Sequence, residues 1–373
     1  MGAMLSVGWD QVFAWRLGRQ FVSAPTAGSV DDIATRLAGV QAQVASAADI
    51  AVAVRSSDSR PTGVGDALAA GTLMKTWAMR GTLHAMVPEQ AAAALSLIGS
   101  ARTWEKPSWQ KTFGATPEQV AALVEVVSGV LAGQVLTRDE LVAAVLAEPG
   151  FAHLGEQLRS GWGAVLKPLA WQGALCHGPA RGTKVTFTAP ADHAPGWKGL
   201  PDPDVAAPLL ISAYLGAYGP ATPAAFDAWL SRNSVRKTVL RAWFATMGDA
   251  LTEVDVDGRT GWIPSEFVDD LAAATLEGHV HLLGPFDQYV LGPGTADTAL
   301  LPAEHRSKVS RTAGWISPLV LVDGRIAGTW EQVDDQVVPT MFDAHKLSKR
   351  ELSAAVKRLA EALGGSGLGL RAG

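Results

Sequence analysis

The sequence predicts an α+β protein that is mainly helical, with a β-rich, barrel-like C-terminal part. Two observations carry this expectation. A run of helix-period segments closed by two short β-rich stretches recurs along the first 268 residues, its apolar positions falling three and four apart. From residue 276 the pattern turns to apolar strands, which continue to 342 before a last amphipathic segment at 348–364.

Residues 5–100 hold the loosest version of the repeat. WDQVFAWRLGRQF reads as one helix, VDDIATRLAGVQAQVAS as a second, and MKTWAMRGTLHAM as two β-like runs broken at Gly81. At 115–190 the pattern is clearer. PEQVAALVEVVSGVLAG is a helix, and LTRDELVAAVLAE opens another on Thr137, with Glu140 three residues on as a capping box. GWGAVLKPLAWQG is the third, ending at Gly173, and ALCHG and TKVTFTA flank PARG as a hairpin. The order returns at 203–268. DVAAPLLISAYLGAYG comes first, then a helix with Thr222 as N-cap and Pro223 at its first position, then NSVRKTVLRAWFATMG stopped by Gly248. LTEVDV and RTGWIP follow around Asp257-Gly258, a type I′ hairpin signal. Three helices and a hairpin outline a winged helix, so three tandem units are expected. In 276–342, HVHLLGPFDQYVLGP and GWISPLVLVDGRIAGTWEQ read as strand-rich, the second turning at Asp323-Gly324. The terminal helix starts on Ser348 as N-cap, and a Gly-rich tail follows.

Composition narrows the function. Hydrophobic residues make up 48% of the 373, an ordinary globular share, and no apolar run is long enough to span a membrane. The N-terminus lacks a basic stretch followed by an apolar one, so no signal peptide is expected. Cys176 is the only cysteine, which excludes an intramolecular disulfide and a Cys-based zinc cluster and points to a reduced, cytoplasmic setting. The net charge of −5 argues against a simple nucleic-acid coat but leaves room for local basic faces. Candidates are Arg232, Arg236, Lys237 and Arg241, then Arg306, Lys308 and Arg311, then Lys346, Lys349 and Arg350. A solvated helix or loop face accounts for each equally well. The PARGTK tip carries Arg181 and Lys184, suited to a phosphate backbone or equally to an ordinary polar turn.

Catalytic motifs are sparse. G-x-S-x-G, a P-loop and a dinucleotide-binding glycine run are all missing, and no cofactor is implied. His279 and His281 alternate on an expected strand without an evident third ligand, so no metal is expected. Cys176 reads as buried and inert. Asp287, alone among apolar neighbours in GPFDQY, needs hydrogen-bond partners, and bonding turn amides is the simplest use for it. Gln41 and Gln43 flank the apolar stripe Ile33, Leu37, Val40 and Val44. On a regular helix they fall on opposite flanks and act as boundary residues; they share a site only if the chain ends or bends near 39–43.

TWAMRGTLHAM at 76–86, LLGPFDQYVLGP at 282–293 and RTAGWISPLVLVDGRIAGTW at 311–330 resemble the hallmark segments of the AlkZ-type DNA glycosylases, a bacterial winged-helix family. The resemblance covers nearly the whole chain. It implies tandem winged helices joined to a β-rich C-terminal part. It also implies a catalytic Gln-apolar-Gln motif, matched by Gln41-Ala42-Gln43 rather than by the Gln-apolar-Asp of a second branch. The Gln-apolar-Gln branch is associated with self-resistance to crosslinking natural products such as azinomycin B, through cleavage of N7-alkylguanine glycosidic bonds. The implied partner is double-stranded DNA carrying alkylated or crosslinked purines, bound by a monomer without a membrane or cofactor. Arg181, Lys184, Arg80, Arg236 and Lys237 are the expected DNA contacts, and His84 and Asp287 the expected supports of the glutamines. A non-catalytic DNA-binding regulator or drug sensor is the competing reading.

Overall fold

The computed structural model describes residues 4–58, 63–342, 347–365 and 367–371, so Lys346 lies outside the described residues. The chain forms two compact units. The first gathers Met1–Val64, Ile211–Trp229 and Met247–Gly373, and the second Gly65–Leu210 and Leu230–Thr246. The fold is mixed α+β, as the sequence predicts.

In the first unit, the helix Trp9–Arg19 serves the last turn of the helix Pro203–Tyr218. Arg16 Nε donates to Gly219 O, Arg19 Nε to Gly216 O and Gln20 Nε2 to Ala217 O, each at 3.0 Å. Those carbonyls are the ones a helix leaves unpaired at its C-terminus, where positive charge is also favoured. The strand Leu5–Val7 lies parallel to Leu251–Val256, which forms the predicted hairpin with Arg259–Pro264. Its turn residues Asp257 and Gly258 both take positive φ, 46° and 82°, as a type I′ turn demands.

The C-terminal sheet of this unit runs Val280–Leu283, Leu319–Val322, Arg325–Val333, Gln336–Met341, Gly369–Leu370. Val280, Leu282, Val320, Trp330 and Val337 pack against Ala355, Val356 and Leu359 of the helix Lys349–Ala362, which Ser348 caps. The sheet extends beyond the sequence reading at one point and departs from it at another. The Gly-rich tail adds a parallel strand to this sheet. PFDQYVLGP is no strand: Asp287 accepts from Tyr289 N at 2.8 Å and starts the short helix Gln288–Leu291.

The second unit holds strands in the order Leu83–Met86, Met74–Trp77, Cys176–His177, Thr186–Thr188, Leu136–Thr137. Its core brings Leu123 and Val127 of the helix Pro117–Leu131 onto Leu141, Val145, Leu169 and Phe187. The helix Arg138–Ala147 opens on the predicted capping box of Thr137 and Glu140. The helix Pro88–Ser100 escapes the periodicity reading because Gln90 through Ile98 are all buried, and a helix covered on every side shows no polar stripe.

Candidate active site

The single helix expected over VDDIATRLAGVQAQVAS is in fact two, Val30–Arg36 and Ala45–Ala53, with the short strand Val40–Gln41 between them. The break has a local and a distant cause. Ala38 and Gly39 take positive φ, 51° and 103°, which ends a right-handed helix. Tyr218 then donates its hydroxyl to Leu37 O at 2.5 Å, satisfying a carbonyl that the helix leaves open. Ile33, Leu37 and Val40 remain fully buried, but Val44 becomes the N-cap of the second helix.

This rearrangement changes the relation of the two glutamines. A helix would turn them about 200° apart, but neither lies on a helix: Gln41 ends the strand and Gln43 sits at the bend that follows. Gln41 is 5% exposed, and its Oε1 has no hydrogen-bond partner among the described residues. Gln43, at the bend just beyond the strand, is exposed. A buried amide oxygen without a donor is a rare and costly arrangement in a core.

The segment 284–292 secures both flanks of this stretch. Arg55, just past the helix that follows Gln43, makes a two-pronged ion pair with Asp287: Nη1 to Oδ2 at 2.8 Å and Nη2 to Oδ1 at 2.7 Å. Both side chains are 0% exposed, and Nη1 also donates to Ala51 O at 2.8 Å. A Cβ at Gly284 would meet Ile50 Cγ2 at 2.6 Å, so only glycine lets this loop lie on the helix Ala45–Ala53. On the other flank, a Cβ at Gly292 would run into the ring of Tyr218, the residue that holds Leu37 O. Gln288, one helical turn before Gly292 and on the same face, is 1% exposed with neither amide atom paired among the described residues. Asp287 does bond a turn amide as expected. Its ion pair with Arg55 is the support that sequence reasoning missed.

The remaining predicted residues belong to the second unit. His84 is fully buried on the strand Leu83–Met86, opposite Thr76, with Nδ1 3.1 Å from Thr82 O. Arg80 sits at φ 58° in the turn before it. Arg181 and Lys184 close the predicted hairpin tip by reciprocal backbone bonds of 3.1 Å. The Arg181 guanidinium is engaged within the protein, by Glu140 Oε2 at 3.1 Å and by Val135 O, while Lys184 is exposed. Arg236 and Lys237 are exposed at the start of the helix Lys237–Thr246.

Among the described residues no group of three or more His, Cys, Asp or Glu side chains is placed to hold a metal ion. His279 pairs with Glu277 at 3.3 Å. No helix among them is long and apolar enough to cross a membrane. Cys176 is buried and its thiol pushed up to about 12, by burial. Burial also pushes His84 and His177 down from 6.5 to about 3 and His281 to about 4, with Arg80, Lys75 and Arg358 respectively adding positive charge nearby. These rings are neutral when folded, so between pH 6.5 and 3–4 the unfolded chain binds protons that the folded one refuses. Their contribution is complete above about pH 6.5 and is lost as pH falls through that window. The melting temperature is expected to be flat in this respect between about pH 7 and 8 and to drop below about 6.5; a melting series without that drop would contradict neutral burial.

Comparison with known proteins defines the class. The model of the AlkZ-like DNA glycosylases matches residues 34–365. The chain belongs to the AlkZ-like DNA glycosylase family. It is 52% identical over 369 residues to the interstrand DNA cross-link repair glycosylase of Streptomyces sahachiroi, spanning 98% of this chain and 100% of that one. It is also similar to the solved structure of the Streptomyces sahachiroi DNA glycosylase AlkZ, with a TM-score of 0.96 and 51% identity over 99% of this chain and 100% of the other.

Proposed function

We propose that this DNA glycosylase hydrolyses the N-glycosidic bond of N7-alkylated guanines, including those joined in interstrand crosslinks, with Gln41 and Gln43 placing the water. The unpaired, buried Oε1 of Gln41 two residues before the exposed Gln43 carries the reading. Alkylation at N7 makes the guanine cationic. As the C1′–N9 bond breaks, its electron pair passes to the base and neutralises it, leaving an oxocarbenium-like sugar. Water adds its oxygen at C1′ and releases a proton to solvent. Amides have no useful pKa and cannot act as strong bases, but their oxygens orient the water, a positioning effect. A base that departs neutral needs no more than that. Undamaged bases leave poorly, so an uncharged pair spares them.

A crosslinked base is tethered to the opposite strand and cannot swing into a closed pocket as most glycosylase substrates do. An exposed Gln43 fits an open site, and Arg80, Lys184, Arg236 and Lys237, all of the second unit, are the proposed phosphate contacts. The protein is read as a cytoplasmic monomer that protects its host from an alkylating compound such as azinomycin B. The test is incubation with duplexes bearing N7-methylguanine and, separately, an N7–N7 interstrand crosslink. Abasic sites and separable strands are expected. Intact glycosidic bonds in both substrates would overturn the reading.

A further inference from the structure

In the second unit a cavity of about 220 Å³ opens between the turn Met79–Gly81, the helix Leu166–Trp171 and the turn 230–234. Arg80, Lys167 and Arg232 line it together with the hydroxyls of Thr103, Ser231 and Ser234, and no carboxylate is among the lining residues. In a chain of net charge −5 this is a local reversal of sign. Lys167 registers that field: its ammonium is held below the usual 10.5, first by burial and then by the charge of Arg232. Gly81, at φ 71°, lies against Lys167, whose Cδ and Nζ would be in ordinary contact, 3.7 Å, with a Cβ there. Arg80, Arg232 and Asn233 all take positive φ, 58°, 58° and 60°, a conformation uncommon outside glycine that tends to gather at ligand clamps.

Size selects the ligand. Pockets for drug-sized molecules run to roughly 300–1,000 Å³, so this one suits a compact anion. Guanidinium forks and an ammonium match the oxygens of a phosphate diester. We propose that the Arg80–Lys167–Arg232 cavity seats one backbone phosphate of the DNA duplex and so fixes where the duplex lies on the second unit. This rests on the reading of the protein as an enzyme that acts on double-stranded DNA.

The test is duplex affinity against salt for wild type, for Lys167→Met, which keeps the apolar stem, and for Arg232→Gln at an exposed position. Losing one phosphate contact is expected to flatten the slope of log affinity against log salt by about 0.9 and to weaken binding about eightfold at 0.1 M salt. Equal slopes and affinities for wild type and the Arg232→Gln protein, whose melting temperature shows that it is folded, overturn the proposal. So does an effect confined to the affinity for inorganic pyrophosphate, which would assign the cavity to a free phosphate. Abasic-site formation by wild type is measured in parallel. Cleavage with unchanged slopes sinks the cavity alone, whereas a wild type that neither binds nor cuts duplex DNA sinks the DNA reading with it.

Discussion

Replacing Arg55 by Ala is expected to destabilise the first unit by about 3–5 kcal/mol, because it leaves the Asp287 carboxylate buried without its counter-charge. Against the roughly 5–15 kcal/mol that holds an ordinary domain together, that is a large fraction. Arg55 and Asp287 are both 0% exposed, so water cannot replace the lost partner. Changing both residues, Arg55→Met with Asp287→Leu, removes the stranded charge and is expected to recover part of the loss. Recovery is incomplete because Asp287 also accepts from Tyr289 N. Urea unfolding followed by tryptophan fluorescence reads these differences. A single variant within 1 kcal/mol of wild type would mean that the pair is not sealed from water.

Removing either glutamine is expected to cut the single-turnover rate on N7-alkylguanine DNA by on the order of 10²-fold, the size of a lost positioning contact. Stability should respond in the opposite sense. The Gln41 acceptor is unpaired and buried, so Gln41→Met removes a cost and should leave the protein as stable or more so. A change at the exposed Gln43 should stay within about 0.5 kcal/mol. Gln43→Asp is informative in another way. It supplies an anion, so activity should persist at neutral pH and acquire an acid limb near the carboxylate pKa of about 4. Full activity in both alanine variants, or a matching fall in stability and rate, would assign the glutamines to structure instead.

What could be read from the chain alone was whatever is decided within a few residues. The capping box of Thr137 and Glu140, the Asp257-Gly258 turn and the Thr222 cap each depend on neighbours in sequence, and each is present as read. The break before Gln41 was visible only as a condition. Gly39 hints at it, but Tyr218, which secures it, lies 181 residues away. The same holds for Arg55. A lone arginine closing the apolar run IAVAV and a lone aspartate in GPFDQY are each conspicuous, yet nothing local says that they meet. The phosphate-seating cavity was half legible, since Arg80 and Arg232 stood out as basic residues while Lys167 sits in an apolar helix and becomes a neighbour only through the fold.

The first unit is assembled from three separate stretches of chain. Its strand Leu5–Val7 pairs with Leu251–Val256, and Arg55 waits for a partner 232 residues downstream. At about 5–20 residues per second on the ribosome, that interval lasts some 10–50 s. During synthesis the apolar helix Ala45–Ala53 must therefore be kept from misassociating, while the second unit emerges and has the chance to fold first. Contacts so distant along the chain slow the final assembly. The stretch around Gln41 and Gln43 thus gains its buried ion pair only once Asp287 has been made, long after the glutamines themselves.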